Sequence, residues 1–144
     1  MMKPFALSLA FFLGLVAMAS ARPFEAFDWS HRPLIVVAPS EAHDFVAVQR
    51  AELAGQSFAL SDRDMVVVEV LGERVLVDGR PSDVTTADAV REFYAIAPEE
   101  FRVFLIGRDT GVKMRSARPF MAGRLFDVID AMPMRQQEMG RGDG

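Results

Sequence analysis

Residues 34–38 read Leu34-Ile35-Val36-Val37-Ala38 without a polar interruption and stop at Pro39-Ser40. An apolar run of strand length that is continuous rather than alternating predicts a strand covered on both faces, and so a sheet with helices on each side. Phe45, Val48, Ala51, Leu53 and Ala54 then recur at helical spacing until Gly55, and Ser40 offers a hydroxyl for a turn or for the start of that helix. After the charged turn Asp62-Arg63-Asp64, residues 65–70 (Met-Val-Val-Val-Glu-Val) form a second strong strand candidate, which completes a strand-helix-strand unit.

The second half continues the alternation. Residues 74–77 read as a short edge strand between turns at Gly72-Glu73 and Asp78-Gly79. Thr85, Thr86 or Asp88 can cap a short helix carrying Val90, Phe93 and Tyr94, which should end before Pro98. Residues 101–106 form the third core strand, and Gly107-Arg108-Asp109-Thr110-Gly111 a tight turn into an antiparallel return at 112–114. Phe120, Leu125, Val128 and Ile129 share one face of a closing helix, and residues 136–144 read as a flexible polar tail.

The extreme N-terminus follows a different pattern. Lys3 precedes an almost wholly apolar stretch at 5–18, and Ala19-Ser20-Ala21 satisfies the small-residue rule for signal peptidase, so residues 1–21 are expected to be a cleaved leader. The stretch falls short of the roughly 20 residues of a membrane span, and no lasting membrane insertion is expected after cleavage. The expected address is exported, periplasmic or extracellular. The mature 22–144 chain has 123 residues, enough for one domain, placed at 22–135. It has no cysteine, so packing alone must hold it even where disulfides could form. Loss of Lys3 takes the net charge from −4 to about −5, and with arginines scattered among acids the sequence excludes a nucleic-acid footprint.

The order strand-helix-strand followed by helix-strand-strand-helix resembles the thioredoxin and peroxiredoxin superfamily, giving an expected α/β fold with a thioredoxin-like central mixed sheet flanked by helices. Trp29, Arg32-Pro33-Leu34, Ala38-Pro39-Ser40, Gln49, Asp62-Arg63-Asp64, residues 105–109, Gly111-Val112-Lys113 and Ile129-Asp130-Ala131-Met132-Pro133-Met134-Arg135 resemble the pattern of domain-of-unknown-function family 4174. That family is similar to a domain of animal sushi-repeat and extracellular matrix proteins, for which a peroxiredoxin-like fold without established redox activity has been proposed. The resemblance implies fold and secretion and carries over no catalytic residue.

In that superfamily the turn after the first strand delivers a cysteine to a helix N-terminus, where the dipole favours a thiolate. Here it reads Pro39-Ser40-Glu41-Ala42-His43-Asp44, with no thiol. Ser40 can cap a helix or bind a ligand, and His43 beside Asp44 has the makings of a base, but a serine nucleophile also needs a positioned base and an oxyanion site. Two histidines and no thiolate leave no dedicated metal site, and no cofactor is implied. Pro98 lies near the place of the superfamily's cis proline, with a trans turn proline as the alternative. Met132 and Met134 offer an adaptable apolar contact. Arg63 and Arg135 could orient a partner carboxylate or serve local ion pairs.

The expected function is a non-catalytic binding or structural module, with Ser40, His43, Arg63, Pro98 and Arg135 as candidate ligand or partner contacts. A protein or peptide is the expected partner, and self-assembly is conceivable through the 74–77 edge or the methionine-containing terminus. A small hydrolase or anionic-ligand protein using Ser40, His43 and the Arg63 region is the alternative.

Overall fold

The uninterrupted apolar run lies at the centre of a six-stranded mixed sheet in the computed structural model, which describes residues 22–142. The leader expected at 1–21 lies outside the described residues. In chain order the elements are β1 (Arg32–Ala38), α1 (Asp44–Leu53), α2 (Ser57–Asp62), β2 (Met65–Leu71), β3 (Arg74–Val77), β4 (Arg80–Pro81), α3 (Ala87–Phe93), β5 (Arg102–Ile106), β6 (Val112–Ser116), α4 (Ala122–Asp130) and α5 (Pro133–Gly142).

The sheet order is β4-β3-β2-β1-β5-β6, with β1 parallel to β2 and antiparallel to β5. All seven residues of β1 are buried, because neighbours flank it on both sides and helices or the N-terminal segment cover both faces. Leu34 and Val36 face Val46 of α1 and Leu125 and Ile129 of α4. Ile35 and Val37 face the opposite layer, with Val90 of α3 and Phe24. There Phe24, Phe27 and Trp29 meet edge-to-face with centroids 5.1–6.5 Å apart, a geometry that suits aromatic quadrupoles. The polar and aromatic lead-in is therefore part of the second core.

Three elements depart from the sequence expectation. α2 has no buried residue, so no apolar stripe announces it. β4 pairs two residues with β3, Leu76 opposite Pro81 and Val77 opposite Arg80, so the 74–77 strand expected at an edge is covered for half its length. α5 continues to Gly142 where a flexible polar tail was expected from 136; its side chains are held mainly by charge, which hydrophobic periodicity does not register. The start of α1 also differs. His43 is its N-cap, with Nδ1 accepting from the Phe45 N–H at 3.2 Å, whereas Ser40 contributes only its carbonyl, to the His43 N–H. At the β2–β3 turn Gly72 has φ +62°, and a Cβ there would meet the Pro39 carbonyl at 3.3 Å, so the turn suits glycine.

Among the described residues Gln49 is the one uncharged polar side chain in the buried set, at 1% exposure. Its Oε1 accepts from the Phe120 N–H at 2.8 Å and its Nε2 donates to the Phe120 carbonyl at 3.1 Å, so one amide satisfies both backbone groups where the chain enters α4. Gln49→Leu keeps much of the volume and orphans both groups. The expected loss is about 1–3 kcal/mol in denaturant unfolding; an unchanged midpoint would show that Phe120 finds other partners.

Candidate functional site

The five sequence candidates fall into two groups at opposite ends of the sheet. Ser40 and His43 follow the C-terminal end of β1, and Pro98 precedes β5, whose first residue pairs with Val37 at that same end. Arg63 directly precedes Asp64 and β2, and the Arg32–Met65 pairing puts it at the N-terminal end of β1, where Arg135 joins it. A seven-residue strand, about 23 Å long, separates the groups. Ser40, His43 and the Arg63 region therefore do not form one site.

At the first end, Ser40 is exposed and its hydroxyl has no hydrogen-bond partner among the described residues. The His43 ring caps α1 through Nδ1, which places its proton on Nε2. It also stacks on Phe101 with centroids 5.6 Å apart and 16° between planes. Both roles hold the ring as part of the wall. Pro98 is exposed and its peptide bond is trans, like every other peptide bond among the described residues, in line with a turn proline rather than with the superfamily's cis proline.

At the second end, four arginines and four carboxylates interlock. Arg32 is 1% exposed; its Nη2 donates to Glu138 Oε1 at 3.0 Å and its Nη1 to the Arg63 carbonyl at 2.9 Å. Arg63 grips Asp130 with Nε at 3.0 Å and Nη2 at 2.8 Å, donates Nη1 to the Ala59 carbonyl, and lies 4.4 Å above the Phe126 ring. Arg135, 6% exposed, holds the Asp62 carboxylate at 2.6 Å and the Asp62 carbonyl at 2.7 Å, and reaches Asp130 at 3.4 Å. Arg108 bridges Asp64 and Glu138. Planar guanidiniums suit this arrangement because each presents several donors in fixed directions. The network joins the start of β1, the α2–β2 turn, the β5–β6 turn and both C-terminal helices.

Sequence reasoning singled out Arg63, Arg108 and Arg135 but missed Arg32, Asp130 and Glu138 as their company. The signal was present in part: Arg32 abuts the most buried strand, and Asp130 and Arg135 belong to the family-like string.

Beside the network a cleft of about 380 Å³ opens between the β5–β6 turn and the α4–α5 junction, walled by Val128, Met132 and Met134 and bordered by Arg108, Lys113 and Asp109. Lys113 is paired with Asp109 at 2.7 Å. Among the described residues no group of three or more His, Cys, Asp or Glu side chains is placed to hold a metal ion, and no helix is long and apolar enough to cross a membrane.

The family described as "Domain of unknown function (DUF4174)" matches residues 23–138. Coiled-coil domain-containing protein 80 of Danio rerio is 26% identical over 130 residues, covering 78% of this chain and 15% of its own length. The chain thus spans only a small part of that relative. No solved structure matches.

The network contributes to the acid response. The Arg63 hydrogen bonds, with its charge, hold the Asp130 carboxyl below its ordinary value against opposing burial. Burial pushes the Glu138 carboxyl up, but Arg32, Arg108 and Arg135 together bring it below its ordinary value. A carboxyl depressed in the folded state stabilises fully above its unfolded value, near 4, and loses that contribution as pH falls through the folded value. Unfolding titrations from pH 6 downward should therefore show stability declining below about pH 4, with a shallower decline in Asp130→Asn; equal slopes would remove Asp130 from the acid response. Arg32→Ala removes one of the three arginines on Glu138 and the donor to the Arg63 carbonyl and should cost about 1–3 kcal/mol at pH 7, and a loss within about 0.5 kcal/mol would contradict the network's structural weight.

Proposed function

The chain belongs to this family of domains of unknown function, and on that premise we propose that it is a non-catalytic, thioredoxin-like binding module of an exported protein. The observation that carries the reading is the turn after β1. Where a thioredoxin-type enzyme would present its reactive group, this chain has an unpartnered, exposed Ser40 and a His43 ring occupied as helix cap and aromatic wall. The chain has no cysteine at all. A hydroxyl without base or oxyanion donors is no better a nucleophile than any surface serine.

The likeness to thioredoxin-type folds is favoured by the central strand order β2-β1-β5-β6, with β1 and β2 parallel and β5 and β6 antiparallel returns. The added β3 and β4 extend the sheet beyond β2 without altering that core. Export is inferred from the leader-like pattern of residues 1–21. Arg63 and Arg135 belong to the scaffold in this reading, since both direct their donors to groups of their own chain.

Two measurements test it. Purified mature chain should turn over neither disulfides, peroxide nor activated esters above the buffer rate, and Ser40→Ala should behave identically; any turnover abolished by Ser40→Ala would overturn the non-catalytic reading. Intact mass of the protein recovered from the exported fraction should place its N-terminus at Arg22, and retention of residues 1–21 would overturn the export assignment.

A further inference from the structure

β6 (Val112–Ser116) ends the sheet on its β5 side, and no described element hydrogen-bonds to its outer edge. An open edge presents unpaired N–H and C=O groups to any extended chain that can reach them. The other edge is blunted: β4 is two residues long and one of them, Pro81, has no N–H to offer. β6 is five residues long and contains no proline. Its register passes over Lys113 between the Ile106–Val112 and Leu105–Met114 pairs, which leaves residues 114–116 as the regular stretch.

The charge around this edge runs opposite to that of the chain. No carboxylate occurs between Asp109 and Asp127, whereas Lys113, Arg115, Arg118 and Arg124 all fall there, in a chain of net charge −4. Lys113 is answered by Asp109, and Arg115 donates to the Tyr94 carbonyl at 3.0 Å. Arg118 and Arg124 are exposed, and among the described residues neither guanidinium has a carboxylate or carbonyl partner. Arg124 stands in the first turn of α4, where the helix dipole disfavours a cation. The nearby Glu52 is engaged with the Ala122 N–H at 3.0 Å. Met114, Phe120 and Met121 line a groove alongside the strand, with Met121 68% exposed.

We propose that β6 receives an extended acidic polypeptide segment by strand addition, its backbone pairing with residues 114–116 and the carboxylates on one face of the added strand meeting Arg118 and Arg124 at the groove that Met114, Phe120 and Met121 line. This rests on the binding-module reading and names the partner class. A second copy of the chain is the poorer occupant, because edge-to-edge pairing would bring Lys113 and Arg115 of one copy against those of the other. A nucleic acid would meet the charges but not the hydrogen-bonding edge, which only a peptide backbone complements.

The test is fluorescence anisotropy of the mature protein with three labelled ligands: an alternating Val-Glu hexapeptide, the same hexapeptide N-methylated at every second residue, and a single-stranded 20-mer DNA. The plain hexapeptide should bind, weaken at least fivefold between 50 and 500 mM NaCl, and lose at least tenfold in affinity on the Arg118→Glu/Arg124→Glu variant. The N-methylated hexapeptide should bind at least tenfold more weakly, because its charge is intact and its backbone donors are not. No hexapeptide binding, equal binding of the N-methylated form, or tighter binding of DNA than of the hexapeptide would each overturn the proposal. The N-methylated comparison uses the unmodified protein, so it decides the matter even if the double variant misfolds. Failure here leaves the absence of turnover, and with it the non-catalytic reading, standing on its own assay.

Discussion

A guanidinium sits at the mouth of the central strand with 1% of its residue exposed, and that single burial obliges the fold to bring an anion to it. An unpaired guanidinium charge in that position would cost several kcal/mol. Glu138 answers it from α5, the last helix. Because Glu138 is also held by Arg108 and Arg135, and Arg135 by Asp62 and Asp130, the demand of one buried cation extends to four other parts of the chain. The packing of α5 follows from this: with only Arg135 buried, it docks through charge rather than through an apolar face.

Charge pairing recurs at both ends of the central strand. The N-terminal end of β1 is closed by ion pairs whose members are partly withdrawn from water, an arrangement that specifies which turn meets which helix. The C-terminal end combines aromatic contacts, His43 on Phe101 and Phe45 edge-on to both, with a second set of charge contacts: Arg50 to Glu41 and the buried Glu69, and Arg91 to the Ala38 and Gly72 carbonyls.

Much of this fold was legible in the sequence, and the parts that were not share a cause. β1, β2, β3, β5 and the face of α4 carry strong apolar patterns because they build the two cores. α2 and α5 bury almost nothing apolar, so periodicity is silent on them. Asp62-Arg63-Asp64 and the string ending in Arg135 stood out as unusual, but Arg63 and Asp130 are 67 positions apart and nothing local joins them. Ser40 looked like the helix cap because serine usually caps; the chain instead makes one more turn and uses an imidazole nitrogen three residues on. The basic character of the β6 region escaped notice because its four cations are spaced rather than consecutive.

The claim on which the rest depends is that Arg32 and Glu138 act as a coupled structural pair and are not two independent surface charges. A double-mutant cycle over Arg32→Ala, Glu138→Ala and their combination, read by denaturant unfolding at pH 7, measures that coupling directly. The account predicts a coupling free energy of about 1–3 kcal/mol. Additivity within about 0.3 kcal/mol would contradict it and return the network to the status of incidental surface ion pairs.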